Sequence, residues 1–181
     1  MSVAEHPSRP GRTASIQTAS IQTASIRTEA IQVVAADHPS LDRDVEAFLV
    51  RLADEPRFFG PTAAANPKPF PSLIRALGER DGFRLAAVER GRVIALVRID
   101  PTGRAHLAVA ADRRGEGVGT LLGRAALDRA IRLGYTRIVL RSSRRSRAAR
   151  RVGEALGCVV VEQGRGRTDL IVDLHTSRRS A

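Results

Sequence analysis

Cysteine occurs once, at Cys158, lysine once, at Lys68, tyrosine once, at Tyr135, and tryptophan not at all. A lone cysteine excludes an intramolecular disulfide and a Cys-rich zinc site, so a reducing cytoplasm is the expected compartment and no metal centre is expected. Aromatics are scarce, which argues against single-stranded nucleic-acid binding, where bases stack on aromatic platforms. No apolar run approaches the roughly 18 residues that span a bilayer, so no membrane partner is expected and the chain reads as soluble and globular. The shortage of lysine does not lower the charge: 30 Lys+Arg against 19 Asp+Glu in 181 residues give a formal +11. That balance suggests a polyanionic partner. An arginine-for-lysine bias with abundant Ala and Val is also what a GC-rich genome writes regardless of function.

Residues 13–32 repeat a pentad, TASIQ, TASIQ, TASIR, TEAIQ. A period of five puts Ile16, Ile21, Ile26 and Ile31 on no common helix face and on alternating strand faces, so the repeat builds no buried stripe. Residues 1–28 are therefore expected to be a disordered tail. A folded domain is expected over residues 29–175, with a flexible tail over 176–181.

Within that domain AIQVVAA (30–36) reads as a strand. Ser40 is a candidate N-cap for an amphipathic helix carrying Val45, Phe48, Leu49 and Leu52 at i, i+3, i+4 and i+7. Five of the nine prolines fall between Pro56 and Pro71, which predicts an irregular stretch. A short helix (72–80) follows, then strands over 83–89 and 92–100 joined at Arg90-Gly91, a hairpin turn. Further strands are expected over 105–110, 136–142, 158–162 and 169–174, that at 136–142 being buried. A helix over 119–133 places Val118, Leu122, Ala126, Ala130 and Leu133 on one side. A second helix runs over 146–156.

The most informative segment is VAADRRGEGVGT (109–120), which joins a strand to a helix. Gly115, Gly117 and Gly119 permit positive φ and close approach of a ligand, and exposed N–H groups at a helix N-terminus favour phosphate. An ordinary glycine turn is the plain alternative. A P-loop is excluded, because GxxxxGK[ST] occurs nowhere. The dinucleotide fingerprint GxGxxG fails in both registers, ending on Thr120 or Leu122, although Arg141 keeps an NADP site in view.

Arg114-Gly115-Glu116-Gly117-Val118-Gly119 matches the (R/Q)xxGx(G/A) loop of the GNAT family of N-acetyltransferases, and the order of elements resembles that family over nearly all of the folded region. RRSRAARRVGEALGC likewise resembles the family's second helix with its Leu-Gly ending. The resemblance implies a single α/β (α+β) GNAT-like domain, with a mixed central sheet of about six to seven strands flanked by helices and a splayed pair of parallel strands. It also implies acetyl-CoA as co-substrate, held by Arg114, Gly115, Glu116, Gly117, Val118, Gly119 and Thr120 at the pyrophosphate, and by Leu107, Val109 and Ser146 along the arm. The expected activity is acetyl transfer to a primary amine of a small molecule or a protein lysine.

The catalytic groups fit the family pattern less well. The tyrosine that commonly protonates the thiolate falls at Gly153, and the usual asparagine at Ser146. The early acidic residue falls at Gly103 or Arg104. His106, with a pKa suited to base work, and Asp100 are the candidates. Arginines at 137, 141, 144, 145, 147, 150 and 151 read either as a solvated face, as contacts to the 3′-phosphate, or as a docking patch. A CoA-binding sensor without turnover and an Arg-rich nucleic-acid module remain as alternatives, and a homodimer is left open.

Overall fold

The computed structural model describes residues 31–55, 71–144, 146–163 and 166–174. The expected tails (1–28 and 176–181) and most of the proline-rich stretch lie outside them. Among the described residues the order is β1 (Ile31–Ala35), α1 (Asp42–Ala53), α2 (Pro71–Gly78), β2 (Phe83–Glu89), β3 (Arg92–Ile99), β4 (Arg104–Val109), α3 (Val118–Arg132), β5 (Arg137–Ser143), α4 (Arg147–Ala155), β6 (Val159–Gln163) and β7 (Arg167–Asp173). The strands form one sheet in the order β1-β2-β3-β4-β5-β7-β6. All neighbours are antiparallel except β4 and β5.

The central strands are largely apolar because both faces of the sheet are covered, with Arg84 and Arg98 the buried charges among them. On one face Ala86, Val93, Leu96 and Ala108 pack under Val45, Phe48 and Leu52 of α1 and Leu77 of α2. On the other, Phe83, Leu85, Val97, Ile99 and Ala105 pack under Val118, Leu122, Ala126 and Ala130 of α3. Truncating a fully buried leucine such as Leu122 typically costs about 2–5 kcal/mol. α4 lies beside α3 on this second face, so close that a Cβ on Gly123 would stand 2.7 Å from Leu156 Cδ1.

Arg90 and Gly91, at φ 50° and 74°, make the expected hairpin with two left-handed residues. Three expectations are corrected. The N-cap of α1 is Leu41 and not Ser40, because Pro39 opens a 3-10 turn first and His38 Nδ1 caps it by accepting from the Ser40 N–H. Leu133 is 55% exposed, since α3 ends at Arg132 and Gly134, at φ 82°, turns the chain away. In β5 only Ile138 is fully buried. The reason lies in its neighbour: β4 pairs with β5 only at Arg104↔Val139 and Ala105↔Leu140, after which the two strands part.

Candidate functional site

That parting is a V opening toward the C-terminal ends of two parallel strands, each of which feeds a helix N-terminus. Gly103 donates no side chain to the apex. Instead its carbonyl accepts from Val139 N–H at 2.9 Å, while the Arg104 carbonyl accepts from Asp100 N–H and Ala110 N–H donates to Ile94 on the opposite side. Strand alternation then turns the N–H groups of Leu107 and Val109 toward β5, where no strand meets them.

At the mouth of the V the chain leaves β4 through a 3-10 turn (Ala111–Arg113) and enters α3. Gly117 is the N-cap at φ 83°, and Gly115 stands at φ 84° with open space where a Cβ would be, as does Gly117. Among the described residues nothing accepts from the N–H groups of residues 115–120, and the first bond of the helix runs from Leu121 N–H to the Gly117 carbonyl. Unpaired amides and the positive end of a 15-residue helix thus face one place. Gly119 is helical, as the helix expected over 119–133 has it, and does not take the positive φ that the loop reading allowed it. A Cβ there would meet Val152 at 3.3 Å and Val109 at 3.5 Å, so its smallness lets α3 close on both β4 and α4.

The loop is braced from outside. Glu55, just past α1, accepts from Ala111 N–H at 3.0 Å and from the Arg114 guanidinium, whose Nε also donates to the Val109 carbonyl at 3.0 Å. Arg114 therefore shapes the loop. Glu116, a carboxylate beside an anion site, pairs with Arg113 at 3.3 Å, and Arg113 also pairs with Glu89. Nothing in the sequence marked Glu55, which lies 59 residues from its partner Arg114.

The other arm of the V ends at α4. Ser146 is its N-cap, accepting from Ala149 N–H at 3.2 Å. It lines a polar hollow with Ser142, Arg150 and Thr168, whose buried hydroxyl has no partner among the described residues. Of the clustered arginines, Arg137 pairs with Asp173, Arg141 with Asp169 and Arg144 with Glu162, whereas Arg147, Arg150 and Arg151 make no ion pair among the described residues. Arg145 lies outside them.

His106 sits half-buried on β4, on the face covered by α1 and α2, opposite Arg98 in register. Arg98 is fully buried and bound to Glu79 at 3.2 Å and to Asp81. Burial, and then the charge of Arg98, hold the imidazole below its ordinary pKa, so it is neutral at pH 7. Asp100 is occupied by a turn: one carboxylate oxygen accepts from Thr102 N–H, Thr102 Oγ1 and Arg104 N–H at 2.6–2.9 Å. Burial works against its charge, but these bonds outweigh it and leave its pKa below the usual value. Tyr135 lies beyond the far end of α3, edge-on to Phe83. Gly153 faces Leu170 and, with Leu107 and Cys158, lines an apolar cavity between α3 and α4.

This geometry offers an anion seat at the mouth, unpaired strand edges in the V, an apolar cavity at its closed end, and a neutral imidazole on the opposite face. A model of the Acetyltransferase (GNAT) family matches residues 48–158. No curated protein matches the chain. Among solved structures it is similar to a GNAT-family acetyltransferase from Streptococcus pneumoniae (21% identity, 78% of this chain and 96% of that one, TM-score 0.59). It is also similar to yncA from Salmonella typhimurium, solved with its cofactor acetyl-CoA (18% identity, 80% and 94%, TM-score 0.58). A third is the paia N-acetyltransferase from Thermoplasma acidophilum in complex with coenzyme A (14% identity, 80% and 99%, TM-score 0.61). At these identities the likeness to the solved structures is one of fold.

Proposed function

The chain belongs to the GNAT acetyltransferase family, and from that premise we propose that it transfers an acetyl group from acetyl-CoA to a primary amine, carried by a small molecule or by a protein lysine. The observation that carries this reading is the row of unpaired N–H groups from residue 115 to 120 at the mouth of the V. They suit the pyrophosphate, and the helix end adds about 0.3–1 kcal/mol for an anion at an exposed site. The N–H groups of Leu107 and Val109 are the donors available to the arm. The amine nitrogen attacks the thioester carbonyl, a C–N bond replaces the C–S bond, and the amine proton ends on the thiolate. Neutral His106 is the candidate to take that proton, directly or through water. Asp100, tied into its turn, is the weaker candidate. For the homodimer left open by the sequence, edge strand β6 offers the surface, with Val159, Val160 and Val161 all exposed.

The test is isothermal titration with CoA and acetyl-CoA, followed by thiol release over a panel of amines and lysine peptides. Gly117→Glu forces a side chain onto φ 83° and a carboxylate into the anion seat, so affinity should fall at least about tenfold. Absence of CoA binding by the native chain defeats the reading. Binding without turnover on any amine favours a CoA-binding sensor, a reading supported by Gly153, where α4 offers no hydroxyl to a leaving thiolate.

A further inference from the structure

The face of the sheet that carries His106 continues across the V, onto the arm formed by β5 and its neighbour β7. Arg104 and Val139 are partners at the apex and share a face, so alternation puts the residues two further along, His106 on β4 and Arg141 on β5, on that same face and on opposite arms. Both stand beyond the apex, where the strands have parted. Register then sets Asp169 of β7 beside Arg141, and Asp173 beside Arg137. α3 runs over the other face, on Ala105 and Ile138. With phosphate seated at the N-terminus of α3, an amine that meets His106 comes to the thioester from the face of Arg141.

The two ion pairs on this arm differ in build. Arg137 donates to both oxygens of Asp173, from Nε to Oδ1 at 2.6 Å and from Nη2 to Oδ2 at 3.3 Å, and both side chains are at least half-exposed. Asp169, in contrast, is only 6% exposed. It accepts from Arg141 through Nε alone, at 3.1 Å. Among the described residues nothing accepts from the two terminal nitrogens of Arg141, whose side chain is 46% exposed. A buried carboxylate is unfavourable without a cation, so Asp169 and Arg141 hold each other in place. Nε fixed in this way leaves the end of the guanidinium free, with parallel N–H donors at the spacing of the two oxygens of a carboxylate.

Resting on the acyltransferase reading above, we infer that Arg141, positioned by Asp169, anchors a carboxylate of the acceptor, and that the acceptors are free amino acids. The amine stands at the thioester on the side of His106, and the carboxylate is held across the V. A lysine within a protein has no free carboxylate on its own carbon chain to offer this fork, so the small-molecule branch of the activity is selected. The bond changes are those of acetyl transfer, and the carboxylate takes no part in them.

Thiol release by the full chain at saturating acetyl-CoA tests this, with glycine, β-alanine, 4-aminobutyrate and L-lysine each run against its own carboxamide and beside a lysine peptide. The best amino acid should exceed its carboxamide in kcat/KM by about tenfold or more, the loss expected for one bidentate, charge-assisted contact. Arg141→Gln should raise KM for that amino acid about tenfold or more while kcat, CoA affinity and the rate on the carboxamide stay as they were. Arg141→Lys keeps a cation against Asp169 but loses the fork, so its KM should fall between the two, and it decides the matter if thermal melting shows the Gln variant unfolded. Arg137→Gln should match the native chain. A carboxamide or lysine peptide used as well as the amino acids overturns the inference and leaves acetyl transfer standing. A preference that survives both Arg141 variants overturns it too, because the carboxylate is then read elsewhere. Turnover on no amine at all defeats the acyltransferase reading, and the anchor with it.

Discussion

Glu55 and His106 show how far apart a residue's type and its task can lie. Glu55 reads in the sequence as a surface carboxylate after a helix, yet it holds the turn that leads into the anion seat. His106 was legible as a titratable group on a strand, but its lowered pKa comes from burial and from Arg98 across the ladder, a pairing set by register. General bases act deprotonated, and a pKa held below 6.5 moves the acid limb of kcat/KM below that value. His106→Ala should abolish that limb and lower kcat/KM about a hundredfold or more, read from a pH series with acetyl-CoA and the best acceptor. An unchanged profile would remove His106 from the chemistry. Asp100, the companion candidate, spends its carboxylate on three bonds within a turn.

At the level of elements, periodicity located nearly every strand and helix, because alternation and the 3.6-residue stripe are properties of local sequence. It misjudged β5. Burial of a strand depends on whether a neighbour stays alongside, and β4 stays for two residue pairs only. Gly103 sets that apex: its φ is 83°, and a Cβ would drive into the Arg137 carbonyl oxygen. Gly103→Ala should therefore destabilise the domain by more than about 1 kcal/mol in urea unfolding and weaken CoA binding in the same protein. Wild-type stability with wild-type binding would show that the apex does not depend on this backbone conformation.

Across the whole molecule, the +11 charge is not a uniform field. Much of the arginine is neutralised in place, from Arg84 with Asp37 to Arg137 with Asp173. Arg147, Arg150 and Arg151 on α4 keep their charge for solvent or ligand, beside the second arm of the V. Arg150→Glu should weaken CoA binding roughly three- to tenfold at low salt, with the effect vanishing near about 1 M salt, whereas Arg137→Ala should change nothing. Equal affinities for both variants would leave α4 as a solvated face. No helix among the described residues is long and apolar enough to cross a membrane.

Sequence alone determined the family, the order of elements and the place of the glycine-rich loop between β4 and α3, because spacing of glycines and apolar residues is written along the chain. Tertiary structure alone decided that Gly119 serves packing, that Glu55 braces the loop, that burial and Arg98 hold His106 below the usual imidazole range, and that a cavity lies past the apex. Each of these depends on contacts between residues distant in sequence, and no local period encodes which residues those will be.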